Sequence, residues 1–139
     1  MSVYQIQQRV LFQHCDPAGI VFYPRYFEMI NATVEQWFAD ELGFSFAKMH
    51  LTEKVGVPTA AIQTSFKAPS FLEDRLDFSL KVTKIGTKSA DIAIQVHCEE
   101  QLRLTTELTL VFVSLTQATP KSIPWSDGLR QKMQTFTRL

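Results

Sequence analysis

The residues best suited to chemistry form one run: His14-Cys15-Asp16-Pro17-Ala18-Gly19-Ile20-Val21-Phe22-Tyr23-Pro24-Arg25-Tyr26-Phe27. It joins an acid, a bend and a helix start. Gly19 permits a positive φ, and Pro17 fixes the backbone just after the acid. A helix opening beside Pro24 exposes first-turn N–H groups that lack internal acceptors. Such donors favour negative charge developing on the oxygen of a carbonyl under attack, and a carboxylate held close by serves as nucleophile or as a base on water. That is equipment for acyl transfer. The plainer reading of Asp-Pro-x-Gly is a turn in which the acid bonds its own backbone. His14 is either a base or a hydrogen-bonded strand end. Cys15 has no evident basic partner to lower its pKa. The aromatic residues of the run serve as core, interface or substrate pocket.

Three kinds of element have to position this run. Val3 to Phe12, rich in β-branched and aromatic residues, reads as a strand leading into the turn Asp16-Pro17-Ala18-Gly19. Pro24 to Leu42 reads as the one long helix, about 28 Å, with Phe27, Ile30, Val34, Trp37 and Phe38 at three- and four-residue steps and Gly43 as its stop. After an ambiguous stretch from Phe44 to Glu53, the period falls to two. Ala60 to Phe66, Leu76 to Val82, Ala90 to Cys98 and Leu104 to Leu115 read as four strands. They are linked by Ala68-Pro69-Ser70, by a tight Ile85-Gly86-Thr87-Lys88 hairpin and by Glu99-Glu100-Gln101. The last strand is apolar on both faces near its end, which predicts burial on both sides. Leu129, Met133 and Phe136 suggest a short helix after Ser126. The order predicts an α+β fold, a largely antiparallel sheet with one helix on one face. An apolar reverse side would then need a partner, so a dimer is expected.

Composition narrows the function classes. The chain has 139 residues, 45% of them apolar and 12% aromatic, enough for a single domain (residues 1–139) with its own core. Fourteen Lys and Arg balance fourteen Asp and Glu, so nothing in the net charge favours nucleic acid. No apolar stretch is long enough to span a bilayer, and MSVYQIQQRV does not read as a signal peptide; a cytoplasmic protein with Cys15 and Cys98 reduced is expected. His14, His50 and His97 lack zinc-ligand spacing, and no nucleotide-cradle or serine-elbow motif occurs.

The string from Asp16 to Tyr26 resembles the signature of hotdog-fold acyl-CoA thioesterases of the 4-hydroxybenzoyl-CoA thioesterase type. The likeness extends through the helix, the strand ending Ser65-Phe66-Lys67-Ala68-Pro69, the Lys88-Ser89 hairpin and the final apolar strand. The resemblance implies an antiparallel sheet wrapped around one long central helix, homodimers or tetramers, and catalysis without metal or redox cofactor. It implies that Asp16 attacks the thioester carbonyl or activates water, and that the Tyr23 N–H polarises the carbonyl oxygen. The partner subunit is expected to close the pocket, with Val57-Pro58-Thr59 near the acyl group, and the Thr87-Lys88-Ser89 hairpin is expected to contact the CoA phosphates. Family members can carry Arg in the two positions before the lysine, where this chain has Gly86 and Thr87, leaving Lys88 with Lys84 or Lys67 to hold the nucleotide. The substrate is then an acyl- or aryl-CoA, or an acyl-carrier thioester. The alternatives are a hotdog dehydratase or hydratase, which the Asp-Pro-Ala-Gly turn disfavours, and a non-catalytic sensor or scaffold that binds acyl thioesters.

Overall fold

A computed structural model describes residues 2–137. Five strands form the main antiparallel sheet: β1 (Tyr4–Arg9), β3 (Thr59–Phe66), β4 (Arg75–Ile85), β5 (Ser89–Cys98) and β6 (Gln101–Val111), in the order β1-β4-β5-β6-β3. Two-residue strands β2 (Val55–Gly56), β7 (Val113–Ser114) and β8 (Lys121–Ser122) form a second small sheet. The long helix α1 runs Tyr23–Asp40 and a short helix α2 runs Asp127–Gln134. A 3-10 turn at Phe12–His14 and a π-helical turn at Lys48–Glu53 complete the elements.

The alternation expected from sequence is what the sheet uses. Leu76, Phe78, Leu80 and Val82 of β4, and Ile92, Ile94 and Val96 of β5, all point into the core and are essentially inaccessible. They meet Met29, Ile30, Val34, Trp37 and Phe38, the apolar stripe of α1. Full burial of such side chains contributes about 1.5–3 kcal/mol each. The helix starts at Tyr23 with Pro24 in its first turn, and it stops because Gly43 (φ 65°) lets the Phe44 N–H reach back to the Phe38 carbonyl at 3.0 Å. The helix after Ser126 is present, with Ser126 Oγ accepting the Leu129 N–H at 3.2 Å.

Four expectations are corrected. First, the β1 ladder ends at Arg9, with one further bond from the Val10 N–H to the Asp74 carbonyl, and Phe12 lies on the 3-10 turn, 83% exposed. Second, the last strand is not continuous to Leu115. The ladder stops at Val111, the chain breaks at Phe112, and β7 joins the second sheet; its double apolar face reflects this change of sheet. Phe112 stacks on Trp125 at 4.8 Å. Third, the link between β3 and β4 is longer than a tight turn and includes Glu73 at φ 72°. Fourth, the reverse side of the sheet is polar, not apolar: Gln63, Ser79, Lys81, Gln95, Thr105 and Glu107 line it. Exposed apolar side chains gather instead on β3 and around the loop that follows β1.

Candidate active site

Asp16 sits half-buried in a loop fixed by its own hydrogen bonds. Its N–H donates to the Ile20 carbonyl (3.0 Å), its carbonyl accepts from Gly19 (2.9 Å), and its Oδ1 accepts the Ala18 N–H (2.9 Å). The turn reading of this acid is met, and the turn leaves room for the catalytic one. One carboxylate oxygen ties the turn, while the other is bonded to no protein group among the described residues. Gly19 has φ 82° with open space where a Cβ would stand, so glycine is needed for the backbone angle alone.

The loop folds back on itself and delivers the helix start. The Phe22 N–H donates to the His14 carbonyl at 2.9 Å, and Cys15 pairs with Val21 as an isolated bridge. Tyr23 is the first residue of α1, and among the described residues no acceptor takes its N–H. Ile20 and Val21 of the same loop, with Tyr23, Tyr26 and the Phe66–Pro69 segment, line a groove of about 340 Å³. Phe66 is its hub, with ring centroids 6.3 Å from Tyr23, 5.8 Å from Tyr26 and 6.5 Å from Phe27.

Two neighbours of Asp16 have their own local settings. His14 Nδ1 accepts the Leu11 N–H at 2.8 Å. Burial pushes its pKa down and Arg25 adds to this, while Glu28 opposes, so the ring is neutral and employed in its turn. Burial raises the Cys15 thiol, and the Asp16 charge raises it further, which disfavours a thiolate.

A buried ion pair escaped the sequence reading. Arg103 on β6 is 8% exposed and donates to Asp74 Oδ2 (2.7 Å), the Pro69 carbonyl (3.0 Å) and Ser70 Oγ (3.2 Å). Burial opposes charge on Asp74, but the Phe71 N–H and the Arg103 guanidinium outweigh it and hold the carboxyl below its usual range. This clamp fixes the 67–74 segment. Its Ser70 carbonyl accepts the Val21 N–H (2.9 Å), and Phe71 bridges Ile20. Arg103 and Asp74 thus brace the acid loop from behind. They stand 29 residues apart in sequence, with no motif to link them.

The remaining predicted residues lie elsewhere. Pro58, Thr59, Lys88 and Ser89 come together at the opposite end of the sheet. The Val111 N–H donates to the Pro58 carbonyl (3.0 Å), Ser89 is Val111's register partner on β5, and Thr59 pairs with Leu110. From Thr59 to Phe66 the strand spans roughly 23 Å at about 3.3 Å per residue. Within one chain the predicted residues are therefore kept apart, Asp16 with Tyr23 at one end of β3 and Pro58 with Thr59 at the other. Lys67 lies with the first group; Lys84, exposed near the end of β4, lies with the second. Among the described residues, no group of three or more His, Cys, Asp or Glu is placed to hold a metal.

Residues 10–133 match the thioesterase-like superfamily. The chain belongs to that superfamily. It is 30% identical over 86 residues to a 4-hydroxybenzoyl-CoA thioesterase from Pseudomonas sp. strain CBS-3; the match spans 60% of this chain and 60% of that enzyme. A solved structure of 4-hydroxybenzoyl-CoA thioesterase from the same strain superposes with TM-score 0.81 at 23% identity, covering 93% of this chain and 97% of that one. A 1,4-dihydroxy-2-naphthoyl-CoA thioesterase from Synechocystis superposes at 0.85 with 19% identity, covering 96% of each chain. The fold is thus the hotdog fold expected from the sequence. No helix among the described residues is long and apolar enough to cross a membrane.

Proposed function

We propose that this protein hydrolyses an acyl- or aryl-CoA thioester to the free carboxylic acid and CoA. The observation that carries this reading is one loop that fixes both a carboxylate with a free oxygen and the unpaired N–H at the start of α1. By one route, Asp16 attacks the thioester carbonyl carbon, CoA leaves as thiolate, and water hydrolyses the resulting acyl anhydride. By the other, Asp16 takes a proton from water, which adds to the carbonyl directly. In both, the Tyr23 N–H stabilises the negative oxygen of the tetrahedral intermediate. Neither route requires a metal or redox cofactor. The aromatic groove supports an aryl or phenylacyl substituent, and the matched proteins named as hydroxybenzoyl- and dihydroxynaphthoyl-CoA thioesterases support the same class.

The active unit in this reading is a homodimer, alone or paired into a tetramer. β3 is an unpartnered sheet edge, and two such edges meeting antiparallel about a two-fold axis bring Pro58 and Thr59 of one chain beside Asp16 of the other. The same operation carries Lys88 and Ser89 to the neighbouring site, where they meet the CoA phosphates. The two free thiols suit a reducing cytoplasm.

The test is thiol release from a panel of benzoyl-, hydroxybenzoyl-, phenylacetyl- and C2 to C16 acyl-CoA. Asp16→Asn is expected to cut turnover by about 10² to 10⁴ on the best substrate without loss of fold. Thiol release by the Asn variant at the wild-type rate removes Asp16 from the mechanism. Binding without turnover on every substrate turns the reading to a sensor.

A further inference from the structure

We infer that Ser70 is a positioning residue that ties the Asp16 loop and the first turns of α1 to one buried point, and so sets the spacing between the Asp16 carboxylate and the Tyr23 N–H; this rests on the hydrolase reading above. Ser70 has no exposed surface, and each of its polar groups faces a partner. Its carbonyl accepts the Val21 N–H at 2.9 Å, inside the segment that runs from Asp16 to Tyr23. Its hydroxyl and N–H lie beside the hydroxyl of Tyr26, a buried side chain about one turn along α1 from Tyr23. Its Oγ also accepts from Arg103 Nη1 at 3.2 Å.

Arg103 makes that point rigid. Its guanidinium bonds the Pro69 carbonyl and Asp74 as well as Ser70, and its own carbonyl accepts the Lys67 N–H (2.9 Å) and the Ala68 N–H (3.2 Å). Ser70 is therefore fastened to β6, a strand inside the main sheet, rather than carried on a free loop. The bonds within the acid loop, from Asp16 to Ile20 and from Phe22 to His14, close the turn along the chain. Ser70 adds a cross-tie between loop and helix from a distant part of the sequence. It stands behind Val21 and Tyr26, which line the groove beside Tyr23, and is itself wholly buried, so it is not placed to touch a substrate. A shift of about 1 Å between reacting groups costs about 10²-fold in rate. Loosening the tie therefore acts on the chemical step, whereas a residue of the binding wall acts on substrate affinity.

The test combines steady-state thiol release with amide hydrogen exchange on the full-length protein. Ser70→Ala removes the hydroxyl that stands between Arg103 and Tyr26, and leaves the backbone bond to Val21 and the Arg103–Asp74 pair in place. Tyr26→Phe removes the same contact from the helix side, so either variant alone carries the test. Each is expected to lower kcat by about ten- to thirtyfold with KM within about twofold. The double variant is expected to fall no further than the lower single, because both changes break one junction. Amide exchange across residues 16–26 is expected to quicken in the loop and at the helix start together. A wild-type kcat in Ser70→Ala overturns the inference, as does a rise in KM alone, which would make Ser70 part of the binding wall. Losses that multiply in the double variant also overturn it, since Ser70 and Tyr26 would then act separately. If the wild type releases no thiol from any substrate, the hydrolase reading falls and exchange decides the tie: joint quickening of loop and helix start in Ser70→Ala upholds it, and unchanged exchange overturns it.

Discussion

The two edges of the main sheet are built to opposite rules. β1 is polar along its length and tied down at several points. Gln8 Nε2 donates to the Met29 carbonyl (3.0 Å) and Thr33 Oγ1 (3.1 Å) of α1, Tyr4 donates to Asp40 (2.7 Å), and Gln5 and Gln7 bond Ser79 and Asp77 across the ladder. β3 has Ile62 and Phe66 at 43% and 50% exposure and meets its own sheet only through β6. A polar, tethered edge resists adding a strand, while an apolar free edge invites one. The difference teaches which edge is closed: β1 ends the sheet, and β3 leaves it open along the strand that separates Asp16 and Tyr23 from Pro58 and Thr59.

The sharpest test of that contrast blocks one outward donor on each edge. The Val10 N–H bonds the Asp74 carbonyl just before β4, and the Lys67 N–H bonds the Arg103 carbonyl of β6; by alternation, the N–H groups of Gln7 and Thr64 point away from the sheet. Thr64→Pro is expected to leave a 15.9 kDa monomer by light scattering and to cut thioester turnover by about 10²-fold or more, because in the proposed dimer the two ends of β3 would no longer meet. Gln7→Pro is expected to leave mass and turnover unchanged. An active monomer in the first case, or dissociation in the second, breaks the comparison.

A smaller effect is expected where β3 leaves the sheet. Asp74→Asn is expected to cost about 2 kcal/mol at neutral pH, since it leaves the Arg103 charge poorly matched. Because Asp74 is held below its ordinary value of 3.8, the folded state gains from its ionised form above that value and loses the gain as pH falls through the lower folded pKa. The gap in melting temperature between wild type and Asp74→Asn should be widest above about pH 5 and should close below the ordinary value. A constant gap across pH would remove the carboxylate from the account. At the far end of β3, Lys88→Ala is expected to raise KM for acyl-CoA about fivefold, equivalent to about 1 kcal/mol, with acyl-pantetheine unaffected. The smallest effect belongs to the closed edge: Gln8→Ala removes two tethers and is expected to cost about 1 kcal/mol in urea unfolding, with no change in assembly.

Elements whose pattern is local were legible from sequence. The α1 stripe, the alternation of β4 and β5, the Gly86 hairpin and the Ser126 cap depend on residues within a few positions of one another. Asp16 and Tyr23 were legible for the same reason, since one loop and one helix start hold both. What escaped depends on distant pairing. Arg103 finds Asp74 only because β6 and the β3–β4 link converge in space, and an arginine inside an alternating strand reads as surface until its partners are placed. The break at Phe112 escaped because a strand that changes sheets and a strand buried twice give the same apolar run. The polar reverse face escaped for a related reason, since Val111, Val113 and Leu115, the apolar residues that suggested it, lie where the chain passes from β6 through β7. The separation of Asp16 and Tyr23 from Pro58 and Thr59 needed strand order, which composition and period do not contain.

The two tryptophans stand in contrasting surroundings. Trp37 is wholly inaccessible in the core, edge-on to Phe38 and Phe136, and its indole N–H has no hydrogen-bond partner among the described residues. Trp125 lies flat on Phe112 with its N–H on the hairpin backbone. An indole without a polar partner emits at short wavelength and changes only when the core opens, while one bonded to the hairpin follows the hairpin's own surroundings. The intrinsic fluorescence of the unmodified chain therefore splits into two channels. Trp125→Phe isolates the core signal, and Trp37→Phe leaves the emission of the hairpin.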